Sequence, residues 1–396
     1  MKQLNKLFDY LLLAFLVIVL MLAASCSSEP IYSDKEIIDK PVKVLDYKVS
    51  SDIIRHYSDI IIDFKSLNYY PDCGFDTTNA IADFDLDGDF DIFLAPLCSD
   101  TVDGREPPIA YFENYGFGNF TKKDILIENN IGPLSGTTHL IMGDYNNDKK
   151  PDVVYISHNG HGGDGGFPSI LYSTPNGYKF EDIPLDRKWY AYGASSDIDK
   201  DGDLDILLSW NTYLENNTSD GQIKFNYSKT LIQGMPQGKF FTMFNLMDLN
   251  GDGLDDIIGT NSQINRVLYN NNGSFNFDNG IDLPEQYSGD IHIQPQDRVV
   301  YDYDKDGLNE IITWGYPHAS DTDGEFAHIQ VLKLIGGKLT DITNTVFDNL
   351  TVKDRRSLEW LRFYDTDKDG NVELFENQMV ENWKSWEWNG EYFSKL

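Results

Sequence analysis

Acidic side chains recur in this sequence at a spacing that can hold a cation. Residues 83–92, "DFDLDGDFDI", place Asp83, Asp85, Asp87, Asp89 and Asp91 at alternate positions of one short stretch before it turns apolar. In a tight loop such carboxylates converge, and their charges repel unless something offsets them. They present hard oxygen atoms, which Ca2+ selects with six to eight ligands at about 2.3–2.6 Å. The pattern returns as "DYNNDKKPDV" from Asp144, "DIDKDGDLDI" from Asp197, "DLNGDGLDDI" from Asp248, "DYDKDGLNEI" from Asp302 and "DTDKDGNVEL" from Asp365. The starts lie 61, 53, 51, 54 and 63 residues apart. One supersecondary unit is therefore used repeatedly.

Numbered from its first aspartate, each loop has Asp at positions 1 and 5, Asp or Asn at position 3, and Asp or Glu at position 9. The expected ligands are thus Asp83, Asp85, Asp87 and Asp91; Asp144, Asn146, Asp148 and Asp152; Asp197, Asp199, Asp201 and Asp205; Asp248, Asn250, Asp252 and Asp256; Asp302, Asp304, Asp306 and Glu310; and Asp365, Asp367, Asp369 and Glu373. Position 7 varies, as expected if it offers only its carbonyl. Position 6 is Gly88, Gly202, Gly253, Gly307 and Gly370 in five copies, where positive φ lets the loop fold back. The second copy has Lys149 there, with Lys150 beside it and Asn146 in place of an acid. Up to six Ca2+ ions are expected, the site at Asp144 being the weakest. Acidic β-turns without an ion are the alternative. An EF-hand shares the first half of the pattern but closes with Glu at position 12. Five copies have Leu94, Tyr155, Leu208, Gly259 and Thr313 there, and only the last has Glu376.

Each loop needs elements to hold it. A short apolar stretch precedes every copy, a β-rich run such as "VVYIS" or "IITW" follows, and two weaker strand signals come next. Strand, acidic loop and three further strands form a four-stranded meander of about 50 residues, and meanders arranged in a ring make a β-propeller. The expected fold is all-β: six motif-bearing blades over 75–396. Residues 42–74 form an N-terminal element that is either a degenerate seventh blade or a strand and helix packed on the ring. "DxDxDGxxDI" after a strand, at this spacing, resembles the FG-GAP and VCBS repeats of integrin-alpha-type β-propellers. That resemblance implies a structural calcium loop between the first and second strands, on the bottom face, with ligands bound elsewhere.

The connections after each second strand then open on the top face. They hold His158, His161 and Asp164 in "SHNGHGGDGGFP", Trp210 and Tyr213 in "SWNTYLENN", and Trp314, Tyr316, His318 and Asp321 in "WGYPHASDTDG", with Asp103 and Arg105 after the first loop. Exposed Trp and Tyr suit sugar rings or a protein partner. For Trp210 and Trp314 the alternative is core at the strand ends, which their similar offsets of 13 and 12 residues from the first Asp of their loops slightly favour. The functional expectation is a non-enzymatic binding module for a glycan or protein. The alternative is a hydrolase or lyase acting on exported polysaccharide through the histidine loop. No nucleophile elbow, Walker loop or dinucleotide fingerprint occurs.

The bulk charge agrees with cations as partners. Sixty-four acidic side chains against 32 basic ones give a formal net charge of −32, which disfavours nucleic acid and anionic lipid. At the N-terminus, Lys2 and Lys6 precede an apolar run from Leu11 to Ala24, too short for a bilayer span of about 20 residues and suited to a signal peptide. "LAASC" resembles a bacterial lipobox. Residues 1–25 are thus expected to be a lipoprotein signal peptide, Cys26 the lipidated residue and 26–41 a polar tether, with an uncleaved anchor helix as the alternative. The chain is then expected in the bacterial envelope, touching membrane only through its lipid. Cys73 and Cys98 flank the first loop and are either a disulfide or two buried thiols.

Overall fold

Short apolar runs cut by acidic loops and turns cannot extend into helices, and they fold as a repeated meander. The computed structural model describes residues 77–88, 91–96, 109–115, 120–124, 127–128, 137–157, 166–228, 231–261, 264–288, 291–317, 328–347, 360–364, 373–377 and 384–395. The leader, tether, N-terminal element and all three cysteines lie outside them. Among the described residues no helix is long and apolar enough to cross a membrane.

The chain folds as a six-bladed β-propeller of antiparallel meanders. Blade 1 comprises β1 (Thr77–Ala82), β2 (Asp91–Pro96), β3 (Ala110–Asn114) and β4 (Phe120–Lys123). Blade 2 is β5 (Thr137–Gly143), β6 (Asp152–Ser157), β7 (Ser169–Thr174) and β8 (Gly177–Asp182). Blade 3 is β9 (Gly193–Ser196), β10 (Asp205–Leu208), β11 (Thr212–Asn216) and β12 (Phe225–Ser228), after which β13 (Ile232–Gln233) begins the passage to blade 4. Blade 4 is β14 (Met243–Met247), β15 (Asp256–Thr260), β16 (Asn265–Leu268) and β18 (Ile281–Asp282), with β17 (Phe275–Asn276) pairing in parallel with β13. Blade 5 has five strands: β19 (Gln286–Ser288), β20 (Ile291–Tyr301), β21 (Glu310–Pro317), β22 (His328–Ile335) and β23 (Lys338–Asp341). A single helical turn, α1 (Thr343–Val346), precedes blade 6, which is β24 (Trp360–Tyr364), β25 (Glu373–Asn377), β26 (Lys384–Trp388) and β27 (Phe393–Lys395).

The position of a strand in its blade follows from its pattern. All six residues of the second strand "DVVYIS" are buried, as in a strand covered on both faces. The fourth strand "FTKK" is exposed after its first residue and ends in two lysines, a blunted outer edge. Apolar side chains of successive blades interlock in five described layers, such as Ile141, Val154, Ile206 and Leu208 between blades 2 and 3, or Phe244, Ile257 and Leu207 between blades 3 and 4. Position 12 of each described loop lands in the second strand and is buried there, as with Leu94, Tyr155 and Leu208. It packs the core and does not close a metal loop.

Gly259, at position 12 of blade 4, shows how tight this packing is. A Cβ there would lie 2.5 Å from the ring of fully buried Phe241. Gly259→Ala is expected to cost about 1–3 kcal/mol through overpacking. The measurement is a lowered midpoint of urea unfolding, and an unchanged midpoint would contradict the packing.

Candidate metal centres and binding face

Every described acidic loop joins the first strand of its blade to the second (in blade 5, where β19 is an added edge strand left out of this count, β20 to β21), and its backbone is held by its own carboxylates. The position 1 aspartate accepts from the position 6 N–H: Gly88 to Asp83 at 3.1 Å, Lys149 to Asp144 at 2.9 Å, Gly202 to Asp197 at 3.3 Å, Gly253 to Asp248 at 2.7 Å and Gly307 to Asp302 at 3.0 Å. The position 3 side chain accepts from the position 5 N–H in each, from Asp87 to Asp85 through Asp306 to Asp304. These Asx turns carry the chain through two left-handed residues. Position 6 has φ of 98°, 76°, 103°, 83° and 94° at Gly88, Lys149, Gly202, Gly253 and Gly307, so the second loop forces its lysine into a conformation that costs about 1–2 kcal/mol. Position 4 is left-handed too, at Leu86, Asn147, Lys200, Gly251 and Lys305.

Position 9 does more than the sequence reading assigned to it. Asp91, Asp152, Asp205 and Asp256 are fully or almost fully buried, and each ties the loop to the third strand. Asp91 accepts from Phe84 N (3.1 Å) and Asn114 N (2.9 Å), and from the Tyr111 hydroxyl (2.9 Å). Asp205 repeats all three bonds with Ile198, Asn216 and Tyr213. Asp152 and Asp256 keep the two backbone bonds. Burial pushes Asp91, Asp205 and Asp256 up to about 7, against the pull of their N–H donors.

Position 2 is also functional in the architecture. Its side chains, Phe84, Tyr145, Ile198, Leu249 and Tyr303, are buried apolar plugs inside otherwise acidic loops. Three of its carbonyls accept a bond from the following blade: Phe84 from Tyr178, Tyr145 from Asn216 and Ile198 from Asn270. The loops therefore stitch blade to blade. The signal in the sequence was the apolar residue between an aspartate and a following Asp or Asn.

Convergence of acid differs among the loops. In three, one oxygen from each of three acidic residues lies within 4.8 Å of the others: Asp83, Asp85 and Asp91; Asp197, Asp199 and Asp201; Asp302, Asp304 and Asp306. All three have Asp at position 3. In blade 2 Asn146 instead donates to the Ser173 carbonyl (2.8 Å), and Ser173 Oγ donates to Asp148 (2.6 Å). Blade 4 has Asn250 there, which donates to Asp252. Burial and neighbouring acids raise Asp83 to about 6 and push Asp85 and Asp199 upward. In blade 3 the Asp203 side chain at position 7 turns inward. Its Oδ1 is buried without a hydrogen-bond partner, and burial with Asp201 and Asp205 nearby raises it to about 7. The acids of the sixth loop, Asp365, Asp367 and Asp369, lie outside the described residues; Glu373 is buried at the start of β25.

A family profile described as an FG-GAP-like repeat matches residues 83–155 and 248–313. Each matched segment runs from position 1 of one loop to position 12 of the next, so the matching unit is the pairing of neighbouring blades described above. FG-GAP-like repeats thus occur in two regions of this six-bladed propeller. No match was found among curated proteins. The acidic loop of blade 3 repeats the geometry of its neighbours although it lies outside both matched segments. A fold of this kind serves in general as a binding or scaffold module.

On the face of the propeller opposite these loops, the expected ligand residues divide. Tyr213 and Trp314 are buried: the first reaches Asp205, and the second packs with Val299 and Ile312 in the core between blades 5 and 6. The correction has a simple cause, since both begin or continue strands covered on two sides. Trp210 is exposed at the tip of the β10–β11 hairpin, with φ of 70° followed by Asn211 at 54°. Its indole stacks on Phe240 (centroids 3.9 Å apart) and donates to the Trp189 carbonyl at 2.9 Å. Trp189 is 56% and Trp210 41% exposed. Trp189 and Phe240 escaped the sequence reading because they sit in connections between blades. His158, His161, Asp164, His318, Asp321, Asp103 and Arg105 lie outside the described residues, as does the side chain of Tyr316.

Proposed function

We propose that this propeller is a cation-stabilised binding module of the bacterial envelope, with a glycan or protein ligand docking on the face opposite the acidic loops. The observation that carries this reading is Trp210. Trp210 is held at positive φ, a conformation a bulky residue rarely adopts, while 41% of its surface stays exposed, and such strain concentrates at binding sites. The hairpin tip is braced for presentation: Asn211 accepts from Phe241 N, and Ser209 Oγ accepts from Tyr192 N and donates to the Thr242 carbonyl. Trp189 extends the platform. Arg187, Lys188 and Lys239 belong to the same two connections in an otherwise acidic chain, which suits a hydroxyl-rich or acidic ligand.

In the loops of blades 1 and 3 the residues fit Ca2+. Three carboxylate oxygens already converge in each, and Asp203 offers a buried, unpartnered oxygen beside the second group. A bound cation would neutralise the acids and fix the first two strands of the blade. Export through residues 1–25 and anchoring through Cys26 complete the reading.

The test is binding of the wild-type chain and a Trp210→Ala variant to arrayed glycans and to envelope proteins. Loss of an aromatic anchor is expected to weaken the ligand that is found about tenfold or more, with the melting temperature little changed. Equal binding by the variant would overturn the placement of the site.

A further inference from the structure

We propose that the acidic loop of blade 5 carries its own cation: the Lys333 ammonium fills the place that a divalent ion takes in the loops of blades 1 and 3, so this loop binds none. The inference rests on the calcium reading of those two loops.

The comparison is set by register. Position 10 of each loop pairs with a third-strand residue: Ile92 with Phe112, Val153 with Leu171, Ile206 with Leu214, Ile257 with Leu268, Ile311 with Leu332 and Leu374 with Trp386. The next residue along the third strand therefore faces the acidic loop. It is Glu113 in blade 1, Tyr172 in blade 2, Glu215 in blade 3, Tyr269 in blade 4 and Glu387 in blade 6. Blade 5 alone has a lysine. Where blades 1 and 3 add a further carboxylate to a converging acidic group, blade 5 adds a positive charge to one.

The side chain goes where that register sends it. Lys333 Nζ lies 2.5 Å from Asp304, 2.9 Å from Asp306 and 2.7 Å from Glu310. The lysine side chain is 15% exposed and that of Glu310 is fully buried. One ammonium thus lies within ion-pair distance of three carboxylates and donates a hydrogen bond to Asp304. A divalent ion entering this group would meet a buried like charge, and expelling the lysine would cost the buried Glu310 its partner.

The experiment counts Ca2+ bound per chain, by native mass spectrometry after chelation and readdition, for the wild type and for Lys333→Met. One additional ion in the variant is expected. An equal count above zero overturns the inference alone. A wild-type count of zero would instead remove the calcium reading of blades 1 and 3, so the two failures are separable. Should the variant not fold, acetylation of wild-type lysines decides. Lys333 is expected to react more slowly than exposed Lys338, equally in calcium and in chelator. A rise in Lys333 labelling on adding calcium would show the ammonium displaced and overturn the inference.

Discussion

Chelation is expected to lower the melting temperature of the chain by roughly 10 °C. Each ion held at about 100 times its dissociation constant stabilises the folded state by ~2.7 kcal/mol, and the loops of blades 1 and 3 supply two such sites. Two contributions sum to about 5 kcal/mol, which for a chain of this size is a shift of this order. The effect has a pH dependence whose sign follows from the raised carboxyls. Asp83 stands at about 6, and Asp91, Asp203 and Asp205 at about 7, against an ordinary 3.8. In the ion-free fold these groups hold protons more tightly than the unfolded chain does. Their stabilising contribution is complete below about pH 4 and is lost as pH rises through 6 to 7. A cation replaces those protons. The gap between melting curves in calcium and in chelator is therefore expected to be small at pH 5 and to widen toward pH 7.5. A gap that is absent at pH 7.5, or that narrows as pH rises, contradicts the cation.

Asp205→Ala is expected to destabilise the chain by about 3–5 kcal/mol, in calcium and in chelator alike. The carboxylate takes bonds from Ile198 N, Asn216 N and the Tyr213 hydroxyl, and removing it strands buried donors at about 1–3 kcal/mol each, less than additively. Asp201→Ala in the same loop is the contrast. Asp201 is exposed and accepts from the backbone N–H of Asp203, so its loss is expected to matter in calcium and little in chelator. Unfolding of both variants in guanidinium, with and without calcium, separates the anchor from the ligand. Equal behaviour of the two would show that position 9 is not the anchor described.

The repeat made the fold legible. Six acidic loops in register between β-rich runs specify a meander and its copies, because only one element order places an acidic turn before a buried strand each time. The loop geometry was legible at position 6, where glycine marks positive φ. It was hidden at position 4, where Leu86, Lys200 and Lys305 adopt the same conformation without the residue type that signals it. Position 9 read as a ligand because its chemistry is that of a ligand; its burial depends on the third strand, which sequence spacing does not locate. The binding face was legible least. Tryptophan and tyrosine serve as core or as platform with equal ease, and the difference between Trp314 and Trp210 is one of strand coverage. Lys333 lies 31 residues from the start of its loop and meets it only through strand register.

The central claim, that the converging acids are cation clamps, is tested most directly by a crystal structure of the chain grown in calcium with anomalous diffraction data. The account predicts anomalous peaks enclosed by Asp83, Asp85 and Asp91 and by Asp197, Asp199 and Asp201, and no peak beside Lys333. An intact propeller with neither of the first two peaks would contradict it.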